Sequence, residues 1–440
     1  MTFPRYPKYK DSGVEWLGKV PEHWVVKRIG SLFRQVDEPG DESLQILSVS
    51  IHDGVSDKEL DEKEMDRKVT RSDDRTKYKA VQPGDLVYNM MRAWQGGFGT
   101  VAVAGMVSPA YVVARPVTKY MTLYIERLLR TPHAIEQMRR YSKGVTDFRL
   151  RLYWEEFKTI SVVLPDAEEQ LMISEFLDRE MAKIDELVTE QRRLIELLKE
   201  KRQAVISHAV TKGLNPHAPL KPSGIEWLGD MPEHWELKRL KYLGKSIIGL
   251  TYNPAEIVDE GLGTLVLRSS NIQGGKIVFD DNVFVSTTIP EDLITQLGDI
   301  LICSRNGSRA LIGKNALIDE SSAGLTFGAF MTVFRSSHSS YLACVLNSPL
   351  FEFQSGAFLT STINQLTSGV LNNFEVPFPP EDERDQIALY LEREITRFDA
   401  LVAEAQRAID LLQERRTALI SAAVTGQIDV RRLEGAHERG

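Results

Sequence analysis

Along Leu177, Met181, Ile184, Val188, Gln191, Ile195 and Leu198 the chain repeats a spacing of four and three residues, and all but Gln191 are apolar. That period predicts a long helix with one narrow apolar seam, flanked by Leu187 and Leu194. Pro165 followed by the acidic Asp166, Glu168 and Glu169 suits its start, where negative charge complements the helix dipole, and Lys212-Gly213 with Pro216 suits its stop. The pattern returns with Pro379-Pro380-Glu381-Asp382-Glu383, then Leu391, Ile395, Phe398, Val402, Ala405, Ile409 and Leu412, then Gly426. Each helix should run about 40 residues, roughly 60 Å at 1.5 Å per residue. Glu190, Arg192, Arg193, Glu196, Lys199, Glu200 and Lys201 leave only the seam to bury, which favours pairing of the two helices, or pairing with other chains, over two core helices of an ordinary bundle.

The segments between are shorter-period. Leu44 to Ile51, Asp85 to Tyr88, Thr100 to Val103, Ala110 to Ala114 and Ile160 to Leu164 read as strands, with one helix near Met121 to Tyr141. A second set has the same texture: Leu265 to Arg268, Lys276 to Phe279, Asp299 to Cys303, Ala316 to Ile318 and Met331 to Phe334, with a helix over Ser340 to Phe353. Both read as mixed α+β.

The likeness of the two halves is a duplication. Residues 12–28 and 223–239 share twelve of seventeen positions in the pattern Ser-Gly-x-Glu-Trp-Leu-Gly-x-x-Pro-Glu-His-Trp-x-x-Lys-Arg. Leu177 to Thr211 lies on Leu391 to Thr425 without a gap at an offset of 214 residues, sharing Arg179, Glu180, Asp185, Leu197, Arg202 and Ile206 with their counterparts. The inserts, about 24–163 and 236–377, agree mainly at punctuation such as Gly84-Asp85-Leu86-Val87 against Gly298-Asp299-Ile300-Leu301. A repeated scaffold therefore carries two different payloads.

Composition narrows the class. The chain has 440 residues, 42% apolar and 26% charged, with 54 basic against 62 acidic side chains. Collagen-like, mucin-like and wholly disordered chains are excluded. Two cysteines, Cys303 and Cys344, make no disulfide framework, and no histidine sits at metal-ligand spacing, so a reducing cytoplasm is expected. The polar, proline-broken start is no signal peptide, and Val101 to Ala114 is too short and interrupted for a membrane span.

No phosphate loop, His-Glu-x-x-His, Gly-x-Ser-x-Gly or dinucleotide fingerprint occurs, which argues against an enzyme. His23 and His234, next to Trp24 and Trp235, have no nucleophile or ligand beside them in sequence and are expected to pack. The net charge of -8 disfavours nucleic acid, but local charge reverses this: Arg67 to Arg92 and Lys119 to Lys158 are each +4, while Asp37 to Asp66 carries eleven acids and two lysines. Basic segments sharing a face would neutralise phosphates. Base reading needs Arg, Asn, Gln and similar groups on loops aimed by a rigid sheet. Arg92, Trp94 and Gln95 follow one Gly-Asp strand; Arg305, Asn306 and Arg309 follow the other. Arg268, Asn271 and Gln273 end a further strand, and late loops supply Arg149 and Arg151 in one copy and Asn364 and Gln365 in the other. These thirteen residues are the candidate DNA contacts.

The repeated Ser-Gly-x-Glu-Trp-Leu-Gly-x-x-Pro-Glu-His-Trp-x-x-Lys-Arg block, the Gly-Asp-x-Leu/Val strand and the proline-initiated heptad helix ending in Ala-Val-Thr resemble the specificity subunits of type I restriction-modification systems, over essentially the whole chain. The resemblance implies an α+β fold: two mixed α/β target recognition domains separated by two long helices pairing as an antiparallel coiled coil, with a pseudo-twofold internal repeat. The domains would be 1–163 and 215–377, the spacer helices 164–214 and 378–428, and 429–440 a polar tail. It also implies a non-catalytic, cytoplasmic subunit reading an asymmetric bipartite site in double-stranded DNA, with two modification (methyltransferase) subunits and restriction subunits as partners and no membrane. This chain would bind no cofactor; its partners would use S-adenosylmethionine, ATP and Mg. The alternative is a free-standing coiled-coil DNA-binding or anti-restriction adaptor outside any active enzyme. A self-sufficient methyltransferase-nuclease is disfavoured, because inserts of about 140 residues leave no room for a cofactor-binding α/β domain.

Overall fold

Each heptad segment is one uninterrupted helix in the computed structural model, which describes residues 3–41, 43–52, 54–58, 77–117, 121–144, 150–225, 228–358 and 365–433. The chain divides into two compact units, Met1–Gln191 with Arg407–Gly440, and Arg192–Gln406. Each unit therefore owns part of both long helices.

In the first unit, the elements used below are β1 (Val25–Arg28), β2 (Phe33–Val36), β3 (Leu86–Asn89), β4 (Phe98–Thr100), β5 (Tyr111–Pro116), α1 (Met121–Leu129), α2 (Pro132–Tyr141), β6 (Ser161–Leu164) and the long α3 (Ala167–Lys212, 46 residues). The second has β7 (Glu236–Arg239), β8 (Lys245–Ile248), β9 (Ile300–Cys303), β10 (Asn315–Leu317), β11 (Met331–Arg335), α4 (Ser339–Leu346), α5 (Pro349–Phe358), β12 (Glu375–Phe378) and the long α6 (Glu381–Val424, 44 residues).

Both units contain the same antiparallel four-stranded sheet, in the order β2-β5-β3-β4 and β8-β11-β9-β10. The central strands are apolar over most of their length because both faces are covered. Leu86, Tyr88, Val112 and Ala114 meet Tyr124, Ile125 and Leu128 of α1, while Val87 and Val113 turn to Leu47, Val81 and Val107. In the second unit Ile300, Ile302 and Phe334 face α4, and Leu301, Cys303 and Val333 face Leu267 and Phe327. Successive strand residues point to opposite faces, so a doubly covered strand loses its polar alternation. Each insert is closed by a two-stranded ribbon, β1 with β6 and β7 with β12, and the pairings Val25↔Leu164 and Glu236↔Phe378 occupy equivalent repeat positions.

The long helices run antiparallel in each unit. In the first, Ile173, Phe176 and Leu177 of α3 share a core with Leu419, Ala423 and Val424 of α6, and Asp185 pairs with Arg416. In the second, Ile206, Ala209 and Val210 share a core with Ile387 and Leu391, and Arg202 meets Asp399 at 3.3 Å. At the 214-residue offset Arg416 and Asp185 become Arg202 and Asp399, so one contact is made once in each unit and the internal repeat is physical. Such exposed pairs contribute at most about 1 kcal/mol; they mark register, and the buried seam supplies the stability. Leu177, Ile184, Ile195, Leu391, Phe398, Ala405 and Ile409 of the expected seam are buried, whereas flanking Leu187 and Leu194 are exposed.

Several expected boundaries move. The helix over Met121 to Tyr141 is two helices, because Pro132 starts α2 behind the capping Thr131, whose Oγ1 accepts from the Ala134 N–H at 3.4 Å. Pro349 divides the second helical segment in the same way. Of Leu44 to Ile51 only Val49–Ser50 is strand, and β4 lies ahead of the expected Thr100 to Val103. Residues from 429, expected as tail, begin by packing: Ile428 and Val430 are buried and the Asp429 N–H donates to the Pro4 carbonyl at 2.8 Å. No helix among the described residues is long and apolar enough to cross a membrane.

Burial pushes the Cys344 thiol up to about 12 and raises that of Cys303 above its ordinary value. Both should stay silent to a maleimide reagent at pH 7 and react on unfolding, which a thiol count with and without urea checks. Rapid labelling of Cys303 in the native chain would mean that the second sheet is not covered as described.

Candidate nucleic-acid interface

Three repeated devices position the loops. The first explains the Pro-Glu-His-Trp motif. In the first unit His23 Nε2 lies 2.8 Å from Glu169 Oε2, and the Trp24 indole N–H donates to the same oxygen at 3.1 Å. In the second, His234 and Trp235 meet Glu383 Oε2 at the same distances. The acceptor lies in the first turn of a long helix, so the motif fastens each insert to its helix, and both histidines are structural as expected. The first clamp is the more elaborate: Tyr6 donates to Glu169 Oε1 at 2.6 Å and Arg431 lies 3.7 Å away. Burial first, and the neighbouring Glu169 second, raise the Tyr6 hydroxyl far above its usual range.

The second device is the Gly-Asp punctuation. Asp85 and Asp299 are buried, and each accepts an N–H from the turn before it, Gln82 or Gln296, at 2.9 Å. Each also receives a two-pronged guanidinium: Arg115 of β5 at 3.0 and 3.0 Å, Arg335 of β11 at 2.8 and 2.7 Å. The bonds to Asp85 and Glu38 raise the Arg115 pKa, and Arg115 in turn lowers that of Glu38. A planar fork on a buried carboxylate fixes the near end of the central strand.

The third device is at the far end. The Leu152 N–H donates to the Met90 carbonyl at 2.8 Å, and the Leu366 N–H to the Ser304 carbonyl at 2.7 Å. These are equivalent bonds at the 214-residue offset. Each ties the loop leaving the Gly-Asp strand to the late loop of its insert. The frames match while the letters they carry differ.

The candidate contacts fall as follows. In the first unit Arg92 is half-buried and Gln95 exposed on the loop after β3, and Trp94 packs half-buried against the core beneath it. Arg151 is exposed and paired through backbone hydrogen bonds of 2.9 Å with Lys143. Arg149, and the basic residues Arg67, Lys68, Arg71 and Arg75, lie outside the described residues. In the second unit Arg305, Arg309 and Gln365 are exposed; Arg305 bridges Gln365 in the backbone and its guanidinium sits 5.1 Å over the Phe330 ring. Asn306 is half-buried, its Nδ2 donating to Ser269 Oγ at 3.1 Å, which joins the loop after β9 to the loop at 268–273. Gln273 is exposed in that loop, and the Arg268 guanidinium is held by Asp281 at 2.7 Å. Asn364 lies outside the described residues.

Asn271 is a correction. It is fully buried, with Oδ1 accepting from the Arg268 N–H at 2.9 Å and Nδ2 donating to the Val278 carbonyl at 3.0 Å. Its amide braces the turn and has no edge to present to a base. Sequence reasoning missed Glu169, Glu383 and the Arg115 and Arg335 forks; the available signal was the recurrence of both carboxylates and both Gly-Asp pairs at the repeat offset.

One scaffold used twice, each copy carrying Arg- and Gln-bearing loops off a braced sheet, defines a two-module protein. No family model matches the chain. The MjaVIII type I restriction enzyme specificity subunit of Methanocaldococcus jannaschii is 24% identical over 441 aligned residues, covering 94% of this chain and 95% of its own. The EcoKI specificity subunit of Escherichia coli K12 is 27% identical over 209 residues, 46% of this chain and 44% of its own. Among solved structures, a chain from work on complex assembly and conformational transition of the type I R-M system superposes with TM-score 0.72 at 17% identity, covering 93% of this chain and 99% of that one. The HsdS subunit from Thermoanaerobacter tengcongensis gives 0.55 at 17% identity, covering 93% and 98%. Over nearly its whole length the chain is therefore similar to type I restriction enzyme specificity subunits, the resemblance that its repeated motifs implied.

Proposed function

We propose that this chain is the non-catalytic DNA-reading subunit of a type I restriction-modification complex, with one half of an asymmetric bipartite site read by each unit and methyl transfer and ATP-driven cleavage carried out by separate subunits. The observation that carries this reading is the pair of equivalent brackets, Leu152 to Met90 and Leu366 to Ser304, which hold unlike loops in like frames. Arg92 and Gln95 against Arg305, Asn306 and Arg309 are different hydrogen-bonding alphabets, so the half-sites differ in sequence. The partner subunits dock methyltransferase and nuclease activities onto the chain; a free-standing adaptor would copurify with neither. Co-expression with the neighbouring genes tests this: a methyltransferase subunit should copurify, and a chain that purifies alone under those conditions would contradict the proposal.

In this reading the paired helices set the spacing of the half-sites. Adding one heptad to both α3 and α6 at matched positions keeps the seam and adds about 10 Å. The unspecified spacer of the methylated motif should lengthen by about three base pairs, at roughly 3.4 Å each. An unchanged spacer, read from methylated-base sequencing, would show that the helices are not the ruler.

A further inference from the structure

The second unit carries an exposed aromatic side chain among its polar candidate loops. Phe330 is 59% exposed, yet its backbone is pinned. Its carbonyl accepts from the Ser304 N–H, the Arg305 N–H and Ser304 Oγ, each at 3.0 Å. On either side, the Ala329 N–H donates to the Leu250 carbonyl at 2.8 Å and the Met331 N–H to the Gly328 carbonyl at 2.8 Å. A large apolar ring is thus displayed on a rigid platform where the loops at 268–273, 304–309 and 365–366 converge. The Arg305 guanidinium lies over the ring, so the cation and the aromatic face hold each other in place. Strand register makes this pair specific to the second unit: Tyr111 faces Asn89 and Met331 faces Cys303, so the first unit has Ala110 and Met91 where the second has Phe330 and Arg305.

Resting on the proposed DNA-reading function, we infer that Phe330 is a specificity-determining residue of the second half-site, its ring contacting the 5-methyl group of a thymine in the major groove beside the base pair that Arg305 reads. The chemistry selects that partner. A phenyl ring neither donates nor accepts a conventional hydrogen bond, and the thymine methyl is the apolar feature the major groove presents, whereas a planar guanidinium matches guanine O6 and N7. A ring inserted between base steps from the minor groove is the other way DNA uses an exposed Phe, and it is indifferent to a methyl group on the opposite groove.

The test uses the full-length chain and a randomised duplex library. The selected site is resynthesised with each thymine of its second half replaced in turn by uracil, which removes only the methyl. One replacement should weaken binding about fourfold, the equilibrium worth of burying one methyl-sized group. Phe330→Ala should erase that difference and accept either pyrimidine at the position, Phe330→Leu should retain part of it, and Arg305→Ala should relax the neighbouring position; the first half-site should be unchanged throughout. If no uracil replacement matters, or if Phe330→Ala keeps the discrimination, the inference is wrong; loss of binding by Phe330→Ala with full tolerance of uracil would assign the ring to the wedge role instead. The uracil series needs no variant, so misfolding cannot mask the outcome. A wild-type chain that selects no motif would overturn the DNA-reading function itself, a result distinct from the other two.

Discussion

Glu169→Ala should destabilise the first unit by about 2–5 kcal/mol, since two buried neutral donors lose their acceptor at about 1–3 kcal/mol each. The carboxylate is 3% exposed and serves Tyr6, His23, Trp24 and Arg431 together. Alanine strips the acceptor from the buried indole and phenol while water remains excluded, so their desolvation goes uncompensated. Glu383→Ala should cost less, about 1–3 kcal/mol, because Glu383 is 24% exposed and holds only His234 and Trp235 among the described residues. Hydrogen exchange of the amides around Trp24 and Trp235, measured in each variant, checks both size and locality: protection should fall around the Trp whose clamp was cut. Equal losses in the two variants, or loss at the wrong unit, would mean that the clamps do not anchor the inserts separately.

Exchange of residues 236–377 for the corresponding insert of another family member should change one half of the methylated motif completely and leave the other intact. The junctions make this possible. The exchanged piece begins with β7 and takes in all of β12 but Phe378, so it carries three of the four pairings of its closing ribbon, while Trp235 and Glu383, which fasten it to α6, stay with the host chain. The exchange also carries the Asp299 to Arg335 fork as a unit, so that buried carboxylate keeps its guanidinium. A chimera that altered both halves would show that the two units read DNA jointly.

How far the sequence foretold this molecule depends on which forces left a periodic trace. The seams were legible because burying one stripe of a long helix imposes the heptad directly. The central strands were legible as apolar runs because both sheet faces are covered. Leu44 to Ile51 misled for a related reason: Ile46 and Leu47 are buried, but Leu47 reaches the Met106 carbonyl through an isolated bridge rather than a ladder, and burial without pairing looks the same in one dimension. Pro132 and Pro349 are helix starts that a hydrophobic count reads straight through. At the interface, Asn271 shares its residue type with base-reading side chains, and only burial separates a turn-bracing amide from an exposed one. Glu169 sat in an acidic first turn where dipole complementarity already explained it, so its four partners left no further mark. Phe330 has no hydrogen-bonding group, so nothing in its residue type marks it as a base contact.

In the proposed function one scaffold, repeated, presents two unlike reading surfaces to DNA. Sequencing of methylated adenines in a host carrying this chain and its copurifying methyltransferase tests it most directly. The methylated sequence should be a split motif with two different specified halves around an unspecified spacer, absent when the gene for this chain is deleted. A palindromic or uninterrupted motif, or a pattern that survives the deletion, would contradict it.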